Sequence, residues 1–392
     1  MGRMEQRMKQ KTEVGKITRS YEGSLRSLTP DALSRILDQF RRGYFGEAAK
    51  VWDIMERRDD VLQGLTLKRK KSVSRLKWSI LTKDDSAEAF EQQEALEYFY
   101  NNVIATHAYE SHQRGGLRLL IEQMMDAIGK CYAVHEMVYE VVKEAGHERL
   151  RATLRFVPLW HFRNKDGRLT FHASSYEADG IELDRNGWMV TTGDGLMEAS
   201  SIAYLFKHLP LRNWLVYCER NGMPAIKAIT DAIPDTPEWN SAKEAIRGFG
   251  SEYNTLLTRG TDIQTIDLTT KGVLPYPELV DRMDRALTAL WRGCDLSTLS
   301  GKDSVGASLQ QQETLLLEQD DAERITETLQ QYIDAPVLSY LFPNRTPLAY
   351  FKLIPPTNDV ERDLALFREL HSLGVTFPKS FLANHFNLPL EE

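Results

Sequence analysis

CDLSTLSGKDSVGASLQQQETLLLEQDD, residues 294–321, joins a run rich in Ser, Thr and Gly around Lys302 to a stretch without Gly or Pro from Ala307 to Ala335. A Gly-Lys pair that opens a helix is half of a phosphate-binding loop, G-x-x-x-x-G-K-[ST] after a buried strand, whose N–H groups cradle phosphate and whose hydroxyl holds magnesium. Here Asp303 follows Lys302, Leu296 stands where the first Gly belongs, and the preceding segment from Pro275 to Trp291 has amphipathic helical spacing. A carboxylate beside phosphates repels them, so no nucleotide site is expected. The stretch reads instead as a loop, with Ser297, Thr298, Ser300, Gly301, Lys302, Asp303 and Ser304, feeding one helix from Ala307 to Asp334 that Pro336 ends. That helix spans about 40 Å at 1.5 Å per residue. Its few apolar positions, among them Leu309, Leu315, Ile325 and Leu329, suit a helix between neighbours or beside a solvated cavity.

The 392 residues, 42% hydrophobic and 27% charged, are of ordinary globular composition and long enough for two or three domains. Residues 1–27 carry seven Lys or Arg and no apolar core segment, and read as a flexible basic arm rather than a secretory signal. Nowhere do enough apolar residues run together to span a membrane. Cys131, Cys218 and Cys294 are far apart, which suits a reducing compartment and small buried hydrophobes. A net charge of −7 argues against a protein whose main task is gripping nucleic acid, since such grip rests on cations neutralising phosphates.

Thr29-Pro30-Asp31 predicts a capped helix running to a Gly43 stop, followed by helices over Glu47–Arg57 and Asp60–Val73. Six basic residues between Lys68 and Lys77 read as a solvated helix face leading into a strand at Trp78–Leu81. Glu88–Tyr100 and Gly116–Ile128 have helical spacing. YAVHEMVYEVV, LRATLRFVPLWHFR and RLTFHA alternate as antiparallel strands, with hairpin signals at Asp166-Gly167 and Asn186-Gly187. A helix from Ser200 to Asn221, interrupted by Pro210, precedes a compact unit holding a helix capped by Thr236-Pro237 and two short strands around Gly260. The end of the chain predicts a helix from Val360 to Leu373 and a short one over Ser380–Phe386.

Enzyme signatures fail one after another. Gly248-Phe249-Gly250 lacks the rest of a dinucleotide fingerprint, His135-Glu136 lacks the second metal-binding His, and the histidines are scattered. Asp59-Asp60, Asp84-Asp85 and Asp320-Asp321 read as solvated charge rather than metal sites. No catalytic, cofactor or metal residue is assigned.

The order of elements, with SRLKWSIL (74–81), CYAVHEMVYEVV (131–142), LRNWLVYCERNGMPAIKA (211–228), SEYNTLLTRGTDIQTIDL (251–268), GASL (306–309) and HSLGVTFPKSFLANHFNLP (371–389), resembles the Mu-like phage portal protein family from Leu28 to Pro389. The resemblance implies an α+β, mainly helical portal fold that assembles as a cyclic ring of about twelve subunits. It implies a wing over 28–197, a stem helix over 198–221, a clip over 222–273 and a second stem helix over 274–293. A tunnel loop over 294–306 follows, then a long helix over 307–335, a return segment over 336–359 and a short helical crown over 360–392. It further implies a channel for double-stranded DNA at one capsid vertex, assembled in the host cytoplasm. The implied partners are the terminase large subunit, the major capsid protein and scaffold, and the head–tail adaptor, with no cofactor and no membrane. Two other readings are a metal-dependent nucleic-acid-processing enzyme acting through the acidic pairs, and a DNA-binding module using Lys68–Lys77.

Overall fold

The computed structural model describes residues 28–144, 147–174, 180–222, 225–248, 261–266, 275–293, 304–355 and 367–374. In chain order the elements are α1 (Pro30–Arg41), α2 (Gly46–Arg58), α3 (Asp60–Ser74), β1 (Lys77–Thr82), α4 (Ala87–Asn101), β2 (Ile104–His107), β3 (Arg114–Gly115), α5 (Leu117–Met124) and α6 (Asp126–Lys130). Then come β4 (Tyr132–Glu144), β5 (His147–Val157), β6 (Phe162–Lys165), β7 (Arg168–Phe171), β8 (Ile181–Glu182), β9 (Trp188–Thr192), α7 (Met197–Gly222), β10 (Ala225–Thr230), α8 (Pro237–Gly248) and β11 (Thr261–Ile266). The last are α9 (Tyr276–Arg292), α10 (Ser304–Leu329) with a π-helical turn at Gln330–Asp334, α11 (Ala335–Leu341) and β12 (Ala349–Ile354). The chain divides into two compact units, one built on Thr66–Gly195 with Gln311–Glu392, the other on Glu22–Leu65 with Leu196–Gln310. No helix among the described residues is long and apolar enough to cross a membrane.

The first unit is built around a five-stranded sheet of order β3-β2-β5-β4-β9, in which β4 and β5 form a long antiparallel hairpin from Val134↔Val157 to Glu144↔His147. One pairing departs from the antiparallel expectation: β2 runs parallel to β5, which the chain can reach because β3, α5, α6 and β4 lie between the two in sequence. Asp166 (φ 52°) and Gly167 (φ 81°) make the predicted tight turn between β6 and β7. Asn186-Gly187 does not make a hairpin. Asp184 accepts both their N–H groups, at 3.1 and 2.8 Å, in a side-chain-capped turn, and the flanking β8 and β9 belong to different sheets. The helix expected over Gly116–Ile128 is two helices, α5 and α6, since ψ opens to −11° at Met125.

β12 shows how the long helix is seated. It pairs with β1 along one edge, from Lys77↔Ile354 to Thr82↔Ala349. Its other edge would leave backbone groups unpaired in the core, an expensive arrangement. Side chains at three positions four apart satisfy it: Thr326 accepts the Leu353 N–H at 3.2 Å, Gln330 donates to the Phe351 carbonyl at 2.8 Å, and Asp334 accepts the Phe351 N–H at 2.7 Å. Asp334 also accepts the Tyr100 hydroxyl at 2.5 Å, beside the Tyr100–Phe351 ring pair at 4.5 Å. Pro336 does not end this helix. The π-helical turn breaks the regular ladder before it, so the missing proline N–H falls in the first turn of α11, where no intrahelical partner is needed.

The basic stretch is not simply a solvated face. Arg69 donates two hydrogen bonds to Asp321, at 2.7 and 3.1 Å, with both side chains buried. Lys70 reaches Asp126 at 2.9 Å, and Lys130 reaches the same carboxylate at 3.0 Å. Burial would raise the Asp126 pKa, but the two ammonium groups outweigh it and hold the carboxyl below the usual range. Asp321 therefore corrects the expectation of solvated charge on the long helix, and its partner lies on α3.

In the second unit Thr29 caps α1 as expected, accepting the Ala32 N–H at 3.2 Å, and Thr236 caps α8 by accepting from Trp239. Phe40, Trp52 and Phe45 pack at ring distances of 4.6 and 4.8 Å in the core that joins α1 to α2. β10 and β11 pair from Ala225↔Ile266 to Thr230↔Thr261. One of the two strands expected around Gly260 is thus β11, its partner is β10, and residues 251–260 lie outside the described residues. The expected helices over Val360–Leu373 and Ser380–Phe386 lie largely outside them too, with helix described at 367–372.

Asp321→Ala takes from the buried Arg69 guanidinium the carboxylate that accepts two of its hydrogen bonds and costs about 3–5 kcal/mol in denaturant unfolding, whereas the paired replacement Arg69→Met with Asp321→Leu costs far less; equal losses would refute a buried pair. His135 is fully buried with no hydrogen-bond partner among the described residues for either ring nitrogen, and burial lowers its pKa from 6.5 to about 3. The unfolded chain then binds a proton that the folded chain refuses, so His135 makes stability fall as pH drops through that window. Burial raises Asp334 to about 6, which works in the opposite sense between pH 6 and the ordinary carboxylate value of 3.8. His135→Phe should flatten the loss below pH 6.5, read as unfolding free energy against pH.

Candidate channel hairpin

α7 and α9 pack as an antiparallel pair. Trp291 Nε1 donates to Ser200 Oγ at 2.9 Å, Lys207 Nζ lies 2.6 Å from Asp284 Oδ1, and the Trp214 and Tyr276 rings stack at 6.5 Å. As the position on α7 rises by seven and seven, that on α9 falls by seven and eight, so one stripe recurring every two turns faces its partner. α7 spans 26 residues without a break at Pro210, contrary to the expected interruption. The proline costs one ladder hydrogen bond, to the carbonyl four residues back at Phe206, and packing against α9 keeps the helix whole. α9 stops at Gly293, whose φ of 73° lets its N–H turn back to the Ala289 carbonyl in a left-handed cap.

A cluster of charge sits beneath the pair. The buried Lys207 ammonium is 3.1 Å from Asp59, 3.1 Å from Asp60 and 2.6 Å from Asp284, while His208 Nε2 lies 2.9 Å from Asp59 and its ring stacks on Tyr204 at 4.0 Å. Asp59 also caps α3, accepting the Leu62 N–H at 2.8 Å. Burial pushes the Asp59 carboxyl up, but the His208 and Leu62 hydrogen bonds and the Lys207 charge overcome it and hold its pKa at about 2. Burial would lower Lys207, yet Asp284 and the Asp59 charge raise it above its ordinary value. Burial raises Asp284, which shares one ammonium with two other carboxylates. Asp59 therefore corrects the expectation of solvated charge, being buried against Lys207 and His208 of α7, whereas Asp60 is 89% exposed as expected.

Among the described residues no group of three or more His, Cys, Asp or Glu is placed to hold a metal ion. Where acidic pairs could have drawn a cation, Asp59 and Asp60 face Lys207, and Asp321 faces Arg69. On the side of the hairpin between its two helices runs an open groove of about 550 Å³, lined by Phe206, Leu209, Pro210, Tyr276, Glu278 and Leu279 among others.

The loop residues Ser297, Thr298, Ser300, Gly301, Lys302 and Asp303 lie outside the described residues. Ser304 is the first residue of α10. The loop is thus flanked by Gly293, which caps α9, and by the helix that starts at Ser304. Sequence reasoning missed Lys207. Its only local signal is a lysine on the face that also carries Ser200 and Trp214, the face that meets α9.

A family model described as the portal protein of Mu bacteriophage matches residues 49–388. Among curated proteins, none matches. Of solved structures, the neck of an empty GTA particle computed with C6 symmetry is similar at 12% identity and a TM-score of 0.51, covering 90% of this chain and 94% of that one. The neck of a native GTA particle computed with C12 symmetry is similar at 12% identity and a TM-score of 0.50, covering 94% and 97%. An HK97 family phage portal protein from Corynebacterium diphtheriae covers 76% of this chain and 95% of its own, at 13% identity and a TM-score of 0.42. At such identities the necks speak for the fold alone.

The clamp has a measurable consequence. Lys207→Met leaves buried carboxylates without their cation and lowers stability by about 3–5 kcal/mol, and adding Asp59→Asn and Asp284→Asn recovers most of it. In the parent chain Asp59 contributes stability that is present above the ordinary carboxylate value of 3.8 and is lost only as pH falls toward 2. In Lys207→Met that loss moves to higher pH, as chemical denaturation across an acid series would register.

Proposed function

We propose, for a chain that belongs to the portal protein family of Mu bacteriophage, a ring of about twelve copies at one capsid vertex, closed by heterologous contacts. The observation that carries this reading is the family match over residues 49–388. The similarity in fold to neck components computed with C6 and C12 symmetry supports it. In this reading the ring is the channel for packaging and ejecting double-stranded DNA. It docks the terminase large subunit during filling and the head–tail adaptor afterwards, amid major capsid protein and scaffold. It acts by shape and assembly rather than by catalysis, and its place is the virion.

The regions follow the same reading. Residues 28–197 act as the wing, α7 and α9 as the stem, 222–273 as the clip, 294–306 as the tunnel loop, α10 as the helix leading on from that loop, and 360–392 as the crown. The physics of transit agrees with the composition. DNA held by many lysine–phosphate contacts cannot slide, so a chain of net charge −7 with few cations at the channel suits passage. Lys302, repeated around the ring, is then a loose positive collar, and the neighbouring Ser, Thr and Gly allow the loop to yield to the duplex.

Native mass measurement and negative-stain microscopy of the purified chain test the reading: closed rings with a central hole are expected, and a monomer at all concentrations would overturn it. For the collar, Lys302→Glu should form normal rings yet package or retain less DNA in a particle assembly assay. Unchanged packaging and retention would remove the collar and leave the ring.

A further inference from the structure

The α7–α9 hairpin exposes two apolar features on opposite sides. One is the groove, where Phe206, Leu209 and Pro210 from α7 meet Tyr276 and Leu279 from α9, with Phe206 itself 52% exposed. The other is Leu215, 62% exposed and the most exposed large apolar side chain of the helix. Nine residues separate Leu215 from Phe206, which is about two and a half turns, so the two lie half a turn apart around α7. A monomer gains nothing from a socket on one face and a bare leucine on the other. A two-fold dimer would set socket against socket. A contact that repeats by rotation sets the leucine of one copy into the socket of the next.

The charges agree with that placement. Arg212 lies one turn before Leu215, exposed, and Glu278 stands exposed at the groove, neither with an ion-pair partner among the described residues. Within one chain, Trp214 is level with Tyr276 and Lys207 with Asp284. Arg212 is therefore level with residues 278–279 of α9. A rotation about an axis along the hairpin keeps height, so it brings the Arg212 of one copy to the height of Glu278 in the next, with Leu215 beside Tyr276.

We propose that the groove between α7 and α9 receives Leu215 of an adjacent copy of this chain, with Arg212 of that copy paired to Glu278. This rests on the ring reading and names the surface that closes it. The contact is heterologous, and the lysine clamp beneath the hairpin keeps socket and leucine at fixed spacing.

The test uses the full chain with Cys218→Ser and Cys294→Ser. Adding Leu215→Cys together with Tyr276→Cys, the position the register sets beside it, and a mild oxidant should give a ladder of linked species up to the ring, whereas either cysteine alone gives none. Cross-linking by Leu215→Cys alone would indicate a two-fold contact and overturn the proposal. Separately, Arg212→Glu should raise the concentration needed for ring formation about tenfold, and Arg212→Glu with Glu278→Arg should restore it. Because Leu215 is exposed, Leu215→Glu should keep the parent melting temperature of the monomer while losing rings. Rings that form normally with Leu215→Glu, and no ladder from the cysteine pair, would sink this interface while leaving the ring reading intact. A parent chain that forms no rings would remove both.

Discussion

A lysine ammonium buried beside carboxylates is unfavourable unless its charge is answered, and Lys207 is answered by Asp284 on α9 and by Asp59 and Asp60 at the start of α3. Taking such charges out of water costs several kcal/mol each, so the cluster contributes less net stability than its Coulomb energy suggests. What it supplies is geometry. A slide of α7 against the α2–α3 junction separates Lys207 from Asp59, the two members of the cluster that are buried. The Ser200–Trp291 bond and the Trp214–Tyr276 stack on either side of it lock the same register. A hairpin pinned in this way is a rigid post.

The first unit solves a different problem with the same economy of parts. β12 has only β1 beside it, and its bare edge is completed by Thr326, Gln330 and Asp334. A regular α-helix drifts 40° over four residues, so three successive contacts along a straight edge need an adjustment. The π-helical turn at Gln330–Asp334 supplies it. Asp334 thereby meets both Phe351 and Tyr100. Arg69 then anchors the helix further back, at Asp321. α10 and the turn that follows it are thus held by backbone-directed side chains and a buried ion pair.

Much of this was readable in the residues. Caps and tight turns depend on neighbours three or four positions away, which is why Thr29-Pro30, Thr236-Pro237 and Asp166-Gly167 do what their types predict. The two long helices α7 and α10 were legible from spacing. The family was legible because the order of elements is a pattern over the whole chain, and the match over residues 49–388 agrees with it.

What the residues did not reveal was which charges are buried. Arg69 finds Asp321 at a separation of 252 residues, and His208 finds Asp59 at 149. Nothing local distinguishes Arg69 from Lys71, or Asp59 from Asp84, because desolvation is decided by what packs on top. For the same reason Pro210 and Pro336 read as breaks and are not. The sequence by itself determined the local caps and turns, which rest on short-range chemistry, and the family, which rests on the order of elements along the chain. Only the tertiary structure decided which polar side chains became clamps, since burial and pairing are properties of the folded chain as a whole.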